Sequence, residues 1–251
     1  TSKTLHGDFA VFGDTEDSYN PLDLKLTKQL CNRLLEPFMW HTVLVTATEF
    51  DNFFELRCPQ YNYLFDFYKS RKEVIEKSTN GKYNDGRDLS TFTDIDWLKI
   101  NASPAEIHIQ ALAEAMWDAY NESKPNQLFD GDWHIPFGDK FDVEKLKELE
   151  NKYQTKDRTR LAIKVCVARC ARLSYMTFEG KIDYKKDIDL HDQLLASHHA
   201  SPFEHCCRVL TEEEYNTLGK MVLNPKNGYI FENGWVDNFK GFISYRRILK
   251  F

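Results

Sequence analysis

Apolar positions recur at helical spacing in several separated runs, with short β-branched or turn-rich stretches between them. In "PLDLKLTKQLCNRLLEPF", Leu26, Leu30, Cys31 and Leu34 fall on one helical stripe and Pro37 ends it, so a helix is predicted. "HTVLVTAT" is short and β-branched and predicts a strand. "EFDNFFELR" reads as a helix with Arg57 at its end. The charged, helix-like "DFYKSRKEVIEKS" runs into "TNGKYNDGRDLSTFTD", which is dense in turn formers, so residues 58–101 read as an insertion or flap. "SPAEIHIQALAEAMWDAY" predicts a strong helix, with Ser103 as N-cap, Pro104 at the first helical position and Glu106 completing a capping box.

The second half continues the pattern. "FDGDWHIPFGD" reads as an aromatic loop and "DVEKLKELENK" as a short charged helix. "DRTRLAIKVCVARCARLSY" reads as a long, largely apolar helix studded with arginines, and "DIDLHDQLLAS" as another helix. Ser201-Pro202-Phe203-Glu204 repeats the Ser-Pro-x-Glu device, so Ser201 is expected to cap a helix beginning at Pro202. The tail "VDNFKGFISYRRILKF" alternates loosely and is aromatic and basic. Residues 1–20, rich in Gly, Asp, Ser and Thr, read as a flexible arm before a domain at 21–251.

Composition narrows the classes. The chain has 251 residues, 42% of them hydrophobic, and a net charge of -6, which gives no general attraction to nucleic acid. No apolar run reaches membrane-span length, and the first residues hold no signal-peptide core. The six cysteines form no CxxC pair and read as reduced and buried, in a cytoplasmic setting.

"LASHHASPFEHCC" at 195–207 holds three histidines, a glutamate and two cysteines. A metal site needs convergent ligands; His198 and His199 are adjacent and point differently, so no metal is expected. Composition alone leaves two readings open, a capped core helix and a helix start that binds an anion.

Two blocks carry a family resemblance. "ARCARLSY", an acidic helical segment and "HHASPFEH" form one; "NRLLEPFMWHTVLVTATEFDNFFELR" with "AEIHIQALAEAM" forms the other. Together they resemble the flavin-dependent thymidylate synthases (ThyX), in the permuted-looking order of some phage and bacterial members. The resemblance implies an α+β fold with long helices packed on an antiparallel sheet. It implies reductive methylation of dUMP to dTMP with FAD, NADPH and methylenetetrahydrofolate, in a homotetramer with shared active sites. A bacterial or phage-infected cytoplasm is the implied setting, with no membrane or nucleic-acid partner.

Residue by residue, the resemblance assigns Arg57 a catalytic role at the nucleotide base, and Arg33 and Arg57 to substrate. It assigns His199, Ser201, Glu204, Ser174, Asn52 and Thr46 to the flavin. Arg246 and Arg247, in the "YRR" that would occupy a strand, are assigned to FAD phosphates from a neighbouring subunit. The plainer readings are a solvated helix charge for Arg33, a helix cap for Asn52, a buried strand hydroxyl for Thr46, a helix-end turn for Ser174 and a basic sheet edge for Arg246 and Arg247. Trp133 and His134 read as a lid on the core or as a folate-stacking loop. Cys206 and Cys207 read as packing.

The family's Arg-His-Arg hallmark does not occur in these 251 residues, and Glu106 and His108 stand where Gln and Glu are usual. The expectation is weak flavin binding and slow or no methylation by this chain alone. The alternatives are a non-catalytic or split-synthase subunit completed in trans, and a relative acting on another pyrimidine nucleotide.

Overall fold

The computed structural model describes residues 42–173 and 183–250. The arm at 1–20, the helix around 21–37 with Arg33, and Ser174 lie outside the described residues. The chain divides into two units, and the larger, Val45–Arg172 with Thr177–Phe251, carries all the helices and strands of the described residues.

The fold is α+β, and among the described residues the strands form several small antiparallel sheets. Its strands form one three-stranded sheet and three separate two-stranded hairpins among the described residues. Helix α1 (Asp51–Arg57) packs on the long α4 (Ile107–Glu122), burying Phe54, Cys58 and Ala113 beneath Trp117. The predicted strand at 41–48 is absent from the described 42–48, which pair with no other strand.

Residues 58–101 fold into a packed lobe. Strands β1 (Tyr61–Tyr63) and β2 (Asp66–Tyr68) and helices α2 (Arg71–Lys77) and α3 (Asp94–Lys99) enclose a core of Tyr61, Tyr63, Val74, Leu89 and Trp97. Period-2 alternation turns both tyrosines of Tyr-Asn-Tyr inward. Trp97 lies edge-on between Tyr61 (5.2 Å) and Phe92 (5.3 Å). The ends of the lobe meet, where the Ala102 amide donates to Gln60 O at 2.9 Å. Glu114 of α4 binds it from below, accepting from the Tyr61 hydroxyl at 3.1 Å and the Arg71 amide at 2.7 Å.

Neither serine caps as expected. Helix α4 begins at Ile107, and Glu106 is its N-cap, its carboxylate accepting from the amides of His108 and Ile109. Gln110 explains the late start: its Nε2 donates to Ala105 O at 2.6 Å and holds the preceding backbone out of the helix. Ser201 sits inside a single 3-10 turn, Ser201–Glu204, and makes no cap hydrogen bond. The chain must be extended by Cys207 to enter a strand, so no helix has room to form there.

The C-terminal core is built around α6 (Arg158–Ala171), whose residues 161–163 and 165–168 are all buried. One side packs on α5 (Val143–Lys152) and α7 (Tyr184–Ala196) through Leu146, Leu149, Tyr184 and Ile188. The other side meets Phe203, Cys206 and Tyr245. A three-stranded antiparallel sheet covers this end, made of β3 (Trp133–His134), β4 (Cys207–Val209) and β9 (Phe242–Ser244), with Cys207 paired to both His134 and Ser244. The aromatic loop is therefore a strand in part. "YRR" is not a strand but the start of α9 (Tyr245–Ile248), capped by Ser244 Oγ.

Helix α8 (Glu212–Thr217) leads into a hairpin of six residues a side, β5 (Gly219–Asn224) and β6 (Gly228–Asn233). Gly234, at φ 80°, seats the Tyr215 ring where a Cβ would lie 2.2 Å from it. The short β7 (Trp235–Val236) and β8 (Phe239–Lys240) return the chain to β9.

Candidate functional site

The histidine pair is first a helix stop. The His199 amide donates to Leu194 O at 2.9 Å and the His198 amide to Leu195 O at 3.2 Å. This is the 6→1, 5→2 pattern of a Schellman motif, and His198, at φ 56°, takes the left-handed position that glycine favours. His199 emerges exposed just after it.

The turn after it is anchored by Pro202 and Phe203, both buried. Burying Phe203 leaves Glu204 and His205 part-exposed on the near side. Arg246 of α9 donates from Nη1 to Glu204 Oε1, so two residues 42 positions apart form an ion pair. Tyr245, whose amide donates to Cys206 O at 2.8 Å, holds α9 against the turn. His205 Nδ1 lies 3.0 Å from Thr46 Oγ1, across 159 positions of sequence. Burial lowers the His205 pKa below its ordinary 6.5, keeping the ring neutral and suited to a hydroxyl partner. Two residues on, Thr48 Oγ1 accepts from the Lys240 amide at 2.8 Å, securing the same segment.

Thus Thr46, Glu204 and Arg246 are drawn into one neighbourhood with His205. Thr46 is hydrogen-bonded but not in a strand. Ser201 and Arg247 are exposed, and Arg247 uses its backbone amide to complete the Ser244 cap. Arg57 is exposed at the end of α1, and its guanidinium donates only to Leu56 O among the described residues. Asn52 is exposed within α1 and does not cap it; Phe50 is the N-cap residue. Trp133 is a strand residue packed edge-on against Tyr245 at 5.9 Å, as a lid on the core.

Two buried polar groups were missed. Asp187 of α7 pairs with Arg172 and, at 3.5 Å, with Arg169, so the arginines of "ARCAR" serve a buried carboxylate. Burial still holds the Asp187 carboxyl above its usual range, against the pull of both guanidiniums. His191 is stacked on Tyr245 at 6.1 Å, and its Nδ1 lies 2.7 Å from Asp192 Oδ1. Its Nε2 has no partner among the described residues. Both residues continue the inward stripe of Tyr184 and Ile188 on α7, and that periodicity was the signal available.

The thiols do not converge on the histidines. Cys206 is core, and Cys207 donates to Glu204 O at 3.3 Å with its pKa pushed up to about 12 by burial. Among the described residues no group of three or more His, Cys, Asp or Glu is arranged to hold a metal ion, and no helix is long and apolar enough to cross a membrane.

Chemically, the arrangement offers the Arg246 guanidinium paired with the Glu204 carboxylate, with exposed Arg247 next to it in sequence on α9 and exposed His199 five positions before Glu204. That donor set suits a phosphate-bearing ligand, with Arg246 already partly engaged by Glu204. Comparison with protein-family models, curated proteins and solved structures finds no match to this chain.

Proposed function

We propose that this chain is a flavin-dependent thymidylate synthase of the ThyX type, acting on dUMP with FAD, NADPH and methylenetetrahydrofolate. The observation that carries the reading is the Thr46–His205 hydrogen bond. The two blocks of family resemblance lie far apart in sequence, and they meet at that bond. The Glu204–Arg246 pair supports it further, because it joins the Ser-Pro-Phe-Glu-His turn to the basic tail.

FAD, when bound, supplies the hydride-transfer chemistry. The residues here bind and orient. Arg247 and Arg246 neutralise flavin phosphates, His199, Ser201 and Glu204 line the flavin, and Thr46 positions the turn through His205. Arg57 and Arg33 reach the nucleotide, and Asn52 and Ser174 are further contacts to the flavin. Because Glu204 already holds Arg246, phosphate binding must compete with an ion pair. This favours the incomplete-site form of the proposal, in which further groups from neighbouring subunits of a cytoplasmic homotetramer or from a second polypeptide finish the site.

The test is titration of the purified chain with FAD and with dUMP, followed by an assay for dTMP. Flavin and nucleotide binding are expected. Replacing both Arg246 and Arg247 by Ala removes charge-assisted bonds worth about 1.5–3 kcal/mol each and weakens FAD at least tenfold. Binding without turnover assigns the chain to the incomplete-site form. No binding of either ligand overturns the proposal.

A further inference from the structure

The β5–β6 hairpin carries an apolar face that the described residues leave bare. Its register pairs Met221 with Phe231 and Leu223 with Tyr229. Alternation puts these four on one face and Lys220, Val222, Ile230 and Glu232 on the other. The second face is anchored, with Lys220 Nζ 3.4 Å from the Trp235 ring centroid and Lys240 bridging to Glu232. The first face is 55–72% exposed at every one of its four positions. A two-stranded ribbon is marginal in water unless something covers its apolar side. Its turn is sound, since Asn224 Oδ1 accepts from the amides of Lys226 and Asn227 and Gly228 adopts φ 74°. The ribbon is therefore a well-specified element presenting an uncovered surface.

We infer that the Met221–Leu223–Tyr229–Phe231 face is a self-association surface whose occupant is the same face of a second copy of this chain. Area favours this. Two aromatic and two aliphatic side chains, each more than half exposed, present on the order of 500 Å². Two such faces bury about 1,000 Å², the lower bound for a specific interface. Charge favours it as well. The chain carries a net charge of -6, and this face holds no charged residue, so two like-charged copies meet there with least repulsion. Geometry completes the match. A two-fold axis running along the strands between β5 and β6 sets Met221 of one copy over Phe231 of the other, and Leu223 over Tyr229. Every aliphatic group then covers a ring, and the contact closes as an isologous dimer.

The inference does not rest on the flavin reading, and its test uses neither flavin nor nucleotide. Sedimentation velocity of the full chain over a range of concentrations should show reversible dimerisation or one step of a higher assembly. The double variant Leu223→Glu, Tyr229→Glu should raise the dissociation constant of that step on the order of 100-fold, with its thermal melt at low concentration unchanged. In the unaltered chain, hydroxyl-radical oxidation of Met221 should fall as concentration rises. A chain that stays monomeric, or an association untouched by the double variant, overturns the inference. So does a Met221 already protected in the monomer, which would assign the face to another segment of the same chain.

Discussion

The two hairpins β1–β2 and β5–β6 are opposite cases of how a hairpin holds. The first is three residues a side and turns through Leu64 and Phe65, both at positive φ (49° and 70°). A two-residue turn of that kind favours Asn-Gly, and β-carbons there are strained. The Phe65 ring is 96% exposed. What holds this hairpin is its buried face, Tyr61 and Tyr63 against Trp97, Val74 and Leu89. The second hairpin has twice the length and turn chemistry that suits it, but four of its six apolar residues face outward. Turn residues specify register; stability comes from what covers a face.

The largest test of that contrast is Trp97→Ala. Removing a buried ring from the lobe should cost about 3–5 kcal/mol, with hydrogen exchange rising across 58–101 and little change in β5–β6. Acid should separate the lobe from the C-terminal core next. Burial lowers the pKa values of His134, His191 and His205 below their ordinary 6.5, with Lys164 adding to the effect at His191 and Asp192 opposing it. The unfolded chain takes up protons first, so their contribution is complete above pH 6.5 and is lost as pH falls below it. The lobe has no histidine, and Asp85, Asp88 and Asp96 are held below 3.8 by hydrogen bonds from Arg87, Ser90 and Thr93 respectively. Its contribution is present above pH 3.8 and is lost only below it. Hydrogen exchange on stepping down from pH 7 should therefore open α7 and β3–β4 before β1–β2; the reverse order would refute this.

A third variant should stabilise. Leu64→Asn with Phe65→Gly supplies the dipeptide that the β1–β2 turn favours and should add about 1 kcal/mol to stability, read as a raised melting temperature. A lower one would mean that the exposed pair packs on something. The smallest effect belongs to β5–β6: Tyr229→Ala should change monomer stability by no more than about 0.5 kcal/mol in a dilute denaturant melt.

Periodicity made helices legible where the buried residues recur at helical spacing, as Leu146 and Leu149 do on α5 and Tyr184, Asp187, Ile188 and His191 do on α7. The lobe's turn formers were equally plain, but its aromatic core was not, since Tyr61, Leu89 and Trp97 are brought together only by closure of Gln60 on Ala102. The predicted strand at 41–48 failed in its described part because Thr46 and Thr48 make side-chain contacts to His205 and Lys240 in place of a ladder. The two Ser-Pro-x-Glu matches were both misread. A local capping signal holds only where no other partner claims the backbone; Gln110 claims it before α4, and β3 and β9 claim it after Glu204.

By itself the sequence determined the mixed α+β class, the helical stripes, and the grouping of His199, Ser201 and Glu204 on one short stretch, because each depends on neighbours within a few positions. Tertiary structure alone decided that Glu204 meets Arg246, that Thr46 meets His205, and that Asp187 takes both Arg169 and Arg172. It also decided which face of β5–β6 the described residues leave bare. These pairings join groups between 15 and 159 positions apart. No local pattern encodes them, because their energy appears only once the intervening chain has packed and excluded the water that would otherwise have bound each group.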